Sequence, residues 1–338
     1  MKIPKKRCLV IAEAGVNHNG SFLLAKKLIK VAVKAGADFV KFQTFDPDAL
    51  ATSSVPKAGY QKKKIENSKN QKQMLTKLCL SQSEYRSLKN ECRRRKIGFL
   101  STSFDSASLE FVETLQPALH KISSGDIDNF PLLRQAARYG RPVILSTGMA
   151  TMTEVRSALT VLRQAGLPKS KVILLQCHTE YPSHPFEMNL KVMDTFSKRF
   201  GVRVGLSDHT LGISVSLAAV ARGAEVIEKH FTLDRSMYGP DHRASLTPSQ
   251  LVELVRGVRA VEEALGDGFK RPSAREKRIK KHVRKFLVAA RPIRPGERFS
   301  PANLTLKRVG GGIPASHWDA WLNKKAKRNY RRDEAIRA

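Results

Sequence analysis

"VIEKHFTLDRSMYGPDH", Val226 to His242, is the stretch on which the fold turns. It opens like a buried strand, with Val226, Ile227 and then Phe231, yet Glu228, Lys229 and His230 interrupt it. Successive side chains on a strand point to opposite faces. Glu228 and His230 therefore share a face, while Lys229 takes the other, where a structural ion pair is the simplest partner. A strand that is apolar at its start and ionisable along one face at its end belongs to a fold in which strand ends meet.

Seven further apolar, β-branched runs precede it: "CLVIAEAG" from Cys8, "FVKFQTF" from Phe39, "GFLSTSF" from Gly98, "LHKISSGD" from Leu119, "PVILSTG" from Pro142, "KVILLQCH" from Lys171 and "VRVGLSDHT" from Val202. Nearly every run is followed by a segment whose apolar residues recur at three and four, the period of an amphipathic helix. One of these segments opens on Thr151 with Glu154 three residues later, a capping-box pattern, and several close on a glycine such as Gly36 or Gly166. Strands that alternate with helices pair in parallel. About eight such units in about 250 residues predict a (β/α)8 TIM barrel. The competing doubly wound sheet usually carries a Gly-rich phosphate turn after its first strand, and "EAGVNHNG" does not match it.

After Gly268 the pattern changes. "KRPSAREKRIKKHVRK", Lys270 to Lys285, is strongly basic, and the chain beyond it has short apolar runs broken by "RPGE" and "GGGIP" turns. We therefore expect a barrel domain over 1–268, a solvated basic linker over 269–285 and a small β-rich domain over 286–338.

The chain has 338 residues, 41% of them hydrophobic, enough for a sizeable core. No apolar run approaches the length of a membrane span, and the basic start is read as the approach to a first strand rather than a signal peptide. Cys8, Cys79, Cys92 and Cys177 are scattered without a CxxC pair, which fits a reduced cytoplasmic protein. The net charge of +31 invites a nucleic-acid reading. The densest basic cluster has no aromatic residue to stack a base, so nucleic acid is not expected as a partner.

In a parallel barrel the C-terminal strand ends line the active site. Here those ends are polar almost throughout: Glu13; Lys41 and Gln43; Ser101 and Ser103; Lys121 with Ser124 and Asp126; Ser146; His178; Ser207, Asp208 and His209; Glu228 and His230. One polar strand end is usually a satisfied structural group. A whole ring of them is hard to attribute to packing, because each unpaired buried polar group costs about 1–3 kcal/mol. His209 and His230 end neighbouring strands, and two converging imidazoles beside carboxylates can hold a divalent cation with open positions. Lys41 and Lys121 with Ser124, Ser146 and Ser207 make a cradle for a phosphate or carboxylate. Each serine taken alone would be read as a helix N-cap. The residues thus point to a metal-assisted barrel enzyme with an anionic substrate. A Schiff-base keto-acid lyase using Lys121 is the rival from another catalytic class.

The motifs "IAEAGVNHNG", "VKFQTF", "KISSGD", "LSTGM", "CHTEYP", "GLSDHT", "VIEKHFTLD" and "GPDHRASL" resemble, in this order, those of the sialic acid (N-acetylneuraminate) synthases, and "AARPIRPGE" with "LTLKRVGGGIP" resembles their antifreeze-like SAF domain. The resemblance implies a (β/α)8 barrel followed by a SAF domain, and condensation of phosphoenolpyruvate with N-acetylmannosamine or a related amino sugar. Legionaminic acid synthesis and the use of a 6-phosphorylated sugar are variants of the same reaction. It implies Mn²⁺ or Mg²⁺ on His209 and His230. Lys41, Lys121, Ser124, Ser146, Thr179 and Ser207 would hold phosphoenolpyruvate, and Asp126 would be a further substrate-binding residue. Gln43, Tyr181 and Asp241 would contact the sugar, and Glu13 would sit against the reacting carbons. Arg308 would reach the sugar's N-acetyl group from the SAF domain of a partner chain, in a domain-swapped homodimer. Two departures stand out: Thr179 occupies a position where bacterial sialic acid members often carry Asn, and "KRVGGGI" lacks the proline that commonly follows the arginine.

Overall fold

A computed structural model describes residues 7–52, 54 and 70–338; the first six residues of the basic start lie outside the described residues. The chain divides into two compact units, Met1–Gly266 and Asp267–Ala338. In the first, eight parallel strands close into a barrel in sequence order. They are β1 (Leu9–Gly15), β2 (Phe39–Thr44), β3 (Gly98–Ser103), β4 (His120–Ile122), β5 (Val143–Ser146), β6 (Val172–Cys177), β7 (Arg203–Asp208) and β8 (Val226–His230). The barrel expected from the alternating pattern is the fold observed.

Helices cover the outside and are fixed by local signals. Ser81 with Glu84, Thr151 with Glu154 and Thr247 with Gln250 each form a capping box, satisfying amide groups that the first helical turn leaves unpaired. The apolar outward face of the strands packs against these helices in one large core that includes Val10, Val40, Leu145, Leu174 and Ile227.

The other face fills the barrel. Leu9, Ile11, Phe39, Leu100, Ile144, Ile173, Leu175 and Val226 form a separate inner cluster. Two or four residues further along the same strands, with the same parity, stand Glu13, Lys41, Thr102, Ser146, Cys177, Glu228 and His230, which line a cleft. The period-2 alternation thus places an apolar floor beneath a polar mouth.

This parity corrects three residues. Thr102, not Ser101 or Ser103, faces the cleft: Ser101 bonds Thr44 at 2.7 Å, and neither serine lines it. Asp208 also faces outward, 2.9 Å from Lys229 and bonded to Thr210 and Ser216. Lys229 therefore has the structural ion pair its parity demanded.

In the second unit β9 (Phe286–Ala289) pairs antiparallel with β10 (Leu304–Lys307). Leu287, Ile293, Phe299, Tyr330 and Ile336 form its core. The basic stretch, expected as a solvated linker, is exposed throughout. It folds as a helix, Ala274–Val283, capped by Ser273 and Glu276.

Candidate active site

Glu13, Lys41, Gln43, Lys121, Ser124, Asp126, Ser146, Thr179, Tyr181, Ser207, His209, His230 and Asp241 all line one cleft of about 370 Å³ at the strand ends. Arg308 belongs to the second unit and is exposed there. His178 is not among the lining residues, although its carbonyl takes part in the site.

At the base of the cleft sits a buried quartet of charges. Lys41 Nζ lies 2.8 Å from Glu13 Oε2 and 3.5 Å from Glu228 Oε2, and Lys121 Nζ lies 3.5 Å from Glu228 Oε1. Lys41 also donates to Thr102 Oγ1 at 2.8 Å, and Ser207 donates to Glu228 Oε1 at 3.0 Å. Strand register makes these pairs: Glu13 is level with Lys41 and with His230, Thr102 with Lys121, and Ser207 with Glu228. Two cations and two carboxylates offset one another's desolvation, which neither sign could bear alone.

The environments drive the four groups apart. Burial raises the Glu13 pKa; Lys41 opposes this and Glu228 adds to it. Burial also works against ionised Glu228, but Lys121 and Lys41 outweigh it and hold its pKa low. Lys41, despite burial, is raised by Glu13 and Glu228, whereas burial leaves Lys121 lowered. Such divergence among clustered groups is typical of a working site.

Backbone geometry aims Glu13. The β1–β2 register shifts between Glu13 and Gly15, and Gly15 has φ +52°. A bulge of this kind re-aims a neighbouring side chain. A Cβ at Gly15 would come within 3.1 Å of the His230 ring.

Beside the quartet is a cradle of small polar groups. Gly148 N–H donates to Ser124 Oγ at 2.9 Å. A Cβ on Gly148 would stand 2.4 Å from Thr179 Oγ1 and 2.9 Å from Ser124 Oγ, so a larger residue would fill the cradle. The Ser146 and Thr179 hydroxyls are buried without a hydrogen-bond partner. Buried hydroxyls are normally satisfied, and two orphans facing one cleft mark a place built for a ligand.

His209 and His230 have ring centroids 5.6 Å apart, and the Tyr181 ring lies tilted against His209, 4.0 Å between centroids. His209 Nδ1 is engaged by the His178 carbonyl at 2.5 Å, which leaves Nε2 for the cleft. His230 Nδ1 is buried with no partner, and burial above all pushes the pKa of that ring well below its usual value. A neutral imidazole with an orphaned nitrogen, beside a second ring oriented by a carbonyl, fits a divalent cation with open positions. Among the described residues the only trio of His, Cys, Asp or Glu ligand atoms close enough to share an ion is His178, Glu180 and Glu187, and none of these lines the cleft.

Glu228 was placed in the mouth by parity, but its part as the hub between both lysines was not foreseen. The signal was available, since among the described residues Lys41 and Lys121 line this mouth and buried cations call for a carboxylate to balance them. Cys177, which also lines the cleft 3.8 Å from His209 Nδ1, gave no such signal.

A closed parallel barrel with buried, mutually tuned ionisable groups at its strand ends is the architecture of a (β/α)8 enzyme. The chain belongs to the NeuB family, whose model matches residues 28–270, and a SAF domain matches residues 284–338. It is a synthase of the sialic acid type. It is 47% identical over 98% of its length to N,N'-diacetyllegionaminic acid synthase of Campylobacter jejuni, covering 99% of that protein. It is 44% identical over 91% of its length to the enzyme of the same name from Legionella pneumophila, covering 87% of it. The crystal structure of N-acetylneuraminic acid synthetase from Leptospira borgpetersenii, in complex with citrate, superposes with a TM-score of 0.70 at 33% identity, covering 81% of this chain and 90% of that one.

Proposed function

We propose that this enzyme condenses phosphoenolpyruvate with the open-chain aldehyde of an N-acetylated amino sugar, giving a nine-carbon 2-keto acid and phosphate. C3 of phosphoenolpyruvate forms the new C–C bond to the aldehyde carbon, whose oxygen takes up a proton. Water adds to the cationic C2, and the C–O bond to phosphate breaks, the departing phosphate keeping the bridging oxygen. Among relatives, the two legionaminic acid synthases favour a diacetylated sugar over N-acetylmannosamine.

The observation that carries this reading is the cradle of Lys41, Lys121, Ser124, Ser146 and Thr179, with its two orphaned hydroxyls, beside Glu13 and the histidine pair. The lysines bind and hold the phosphate and carboxylate, and stabilise the departing anion. Glu13 in its ionised form sits where positive charge grows at C2. Gln43, Tyr181 and Asp241 orient the sugar. His209 and His230 would hold Mn²⁺ or Mg²⁺, which when bound supplies Lewis acidity to the aldehyde. The enzyme works as a homodimer in which Arg308 of one chain completes the site of the other. Its four unpaired cysteines fit a reduced cytoplasmic setting, and among the described residues no helix is long and apolar enough to cross a membrane.

The test is phosphate release from phosphoenolpyruvate with a panel of N-acetylated amino sugars, the product being identified by mass. Sugar-dependent release with a nine-carbon product is expected. Release with no sugar, or none with any of them, would end the proposal.

A further inference from the structure

Behind the histidine pair, on the outward face of the same two strands, lies a second buried ion pair. Lys229 Nζ stands 2.9 Å from Asp208 Oδ2, with both side chains shut off from solvent. Parity sends these side chains away from the cleft, yet each is the sequence neighbour of a cleft imidazole: Asp208 precedes His209 and Lys229 precedes His230. Lys229 also donates to the Thr210 carbonyl at 2.7 Å, and its ammonium lies 3.5 Å from the Asp208 carbonyl. Asp208 Oδ1 accepts from the N–H and the hydroxyl of Thr210 at 2.9 and 2.7 Å. Its Oδ2 accepts from the Ser216 hydroxyl at 2.6 Å, on the helix Ser214–Ala221. Two residues earlier on the same outward face stand Leu206 and Ile227, both in the apolar core. The face turns from apolar to charged at the level of the histidines.

Strand pairing stops short of one of the two imidazoles. The β7–β8 ladder ends at Asp208 and Lys229, so His209 lies one residue beyond it. His230 is still within β8 and level with Glu13 of β1, and its carbonyl accepts from Leu246 N–H at 2.8 Å. His209 is tied on the β6 side, its carbonyl accepting from Ser183 N–H at 2.9 Å and its Nδ1 meeting the His178 carbonyl. On the β8 side the tie is the Lys229 ammonium, which holds residues on both sides of His209 without entering the cleft. From this we infer that Asp208 and Lys229 are positioning residues for the histidine pair, fixing the His209 backbone relative to His230. The inference rests on the metal reading proposed above. A cation shared by two imidazoles needs its ligand distances set to within about 0.2 Å. Partners that orient the ligands from behind typically govern metal affinity by about 10–100-fold. Stability alone does not call for an ion pair here, because replacing both members of a buried pair by apolar groups is often neutral.

Calorimetric titration of the full chain with Mn²⁺ tests this, with circular dichroism and urea midpoints to report folding. Asp208→Asn combined with Lys229→Met removes both charges at nearly constant volume. Lys229→Gln is milder, because Asp208 keeps its three bonds from Thr210 and Ser216. Each should bind Mn²⁺ about 10–100-fold more weakly than wild type. Turnover lost at limiting Mn²⁺ should return as Mn²⁺ is raised, which a general loosening of the barrel would not allow. Ser216→Ala opens the same buried network without cutting the tie between β8 and Thr210, and should keep wild-type Mn²⁺ affinity. Wild-type affinity in a folded tie variant, or an equal loss in Ser216→Ala, overturns the positioning role. Unfolding of both tie variants overturns it too and assigns the pair to barrel stability. His209→Ala tests the metal reading separately: if it binds Mn²⁺ as wild type does, that reading fails and this inference falls with it.

Discussion

Lys41 and Glu13 face each other across β1 and β2, Nζ to Oε2 2.8 Å, with both side chains almost wholly buried. The pair is one arm of the quartet that also ties Lys41 and Lys121 to Glu228. Removing one member leaves a buried charge without compensation, which costs about 3–5 kcal/mol. Lys41→Met should therefore lower the unfolding free energy by several kcal/mol and weaken phosphoenolpyruvate binding strongly. Adding Glu13→Gln to that variant should restore part of the stability but none of the binding. Urea unfolding and calorimetry separate the two effects; equal recovery of both would show that Lys41 only balances charge.

Lys121 distinguishes the synthase from its Schiff-base rival. Burial lowers its pKa, which would suit an imine-forming lysine, but Glu228 at 3.5 Å favours its charged form. In Lys121→Met, phosphoenolpyruvate affinity should fall far more than sugar affinity. Borohydride treatment of the wild type with pyruvate should leave no covalent adduct by mass spectrometry. An adduct on Lys121, with activity that survives EDTA, would favour the lyase.

The proposed metal dependence rests on the two imidazoles. His209→Ala and His230→Ala should each remain folded, bind less Mn²⁺ by calorimetry and lose most turnover. Full activity of the double variant in EDTA would remove the metal from the proposal.

A pH dependence of stability is set away from the cleft. His120 on β4 is buried, and burial pushes its pKa down to about 4, with Arg141 adding to the effect and Glu113, 3.0 Å away, opposing it. The folded value lies below the unfolded value of 6.5, so the stability that neutral His120 gives is full above 6.5 and is lost as pH falls toward 4. Between pH 7 and 5 this amounts to about 2 kcal/mol. That window stays above the range of Glu113, itself held below 4.5 by Arg141 and His120 against its burial. Urea midpoints of His120→Gln should vary less with pH across it than those of wild type. An unchanged slope would assign the acid sensitivity to other groups, His18 foremost, whose pKa burial also lowers to about 4.

How far the sequence could be read depended on periodicity. In "VIEKHF" the alternation alone separates Glu228 and His230 from Lys229, because a strand allows only two directions. In "FLSTS" the same rule, counted from Leu100, points Thr102 inward, whereas reading the polar end by composition favoured Ser101 and Ser103. The apolar side of the cleft had no comparable signal. Phe45, Leu50, Met74 and Phe104 lie on turns and short helices with no shared period, and only the closed barrel brings them to one cleft. The helix over the basic stretch was hidden because its exposed face has almost no apolar stripe, although Ser273 and Glu276 formed a readable cap.

The last prediction concerns Arg308, exposed in the second unit just before Gly310, Gly311 and Gly312. Gly310 and Gly312 have φ of +75° and +124°, conformations that favour glycine, and at Gly310 and Gly311 an added side chain would meet nothing within 4 Å. A loop of this kind can lie close against another surface, and the guanidinium offers a rigid fork of donors to an amide or hydroxyl. The bland alternative is a surface arginine that pairs weakly with nearby carboxylates, worth at most about 1 kcal/mol. The two readings differ in a mixing experiment. Glu13→Ala and Arg308→Ala homodimers should each be nearly inactive under the shared-site reading. After subunit exchange, each heterodimer would contain one cleft with intact Glu13 served by the intact Arg308 of the other chain, and its second site would carry both lesions. Complete random exchange makes half the dimers mixed with one good site each, so activity should return to about a quarter of wild type. A surface-only Arg308 predicts instead that Arg308→Ala is already active alone. Confirmed exchange with no recovery would reject the shared site.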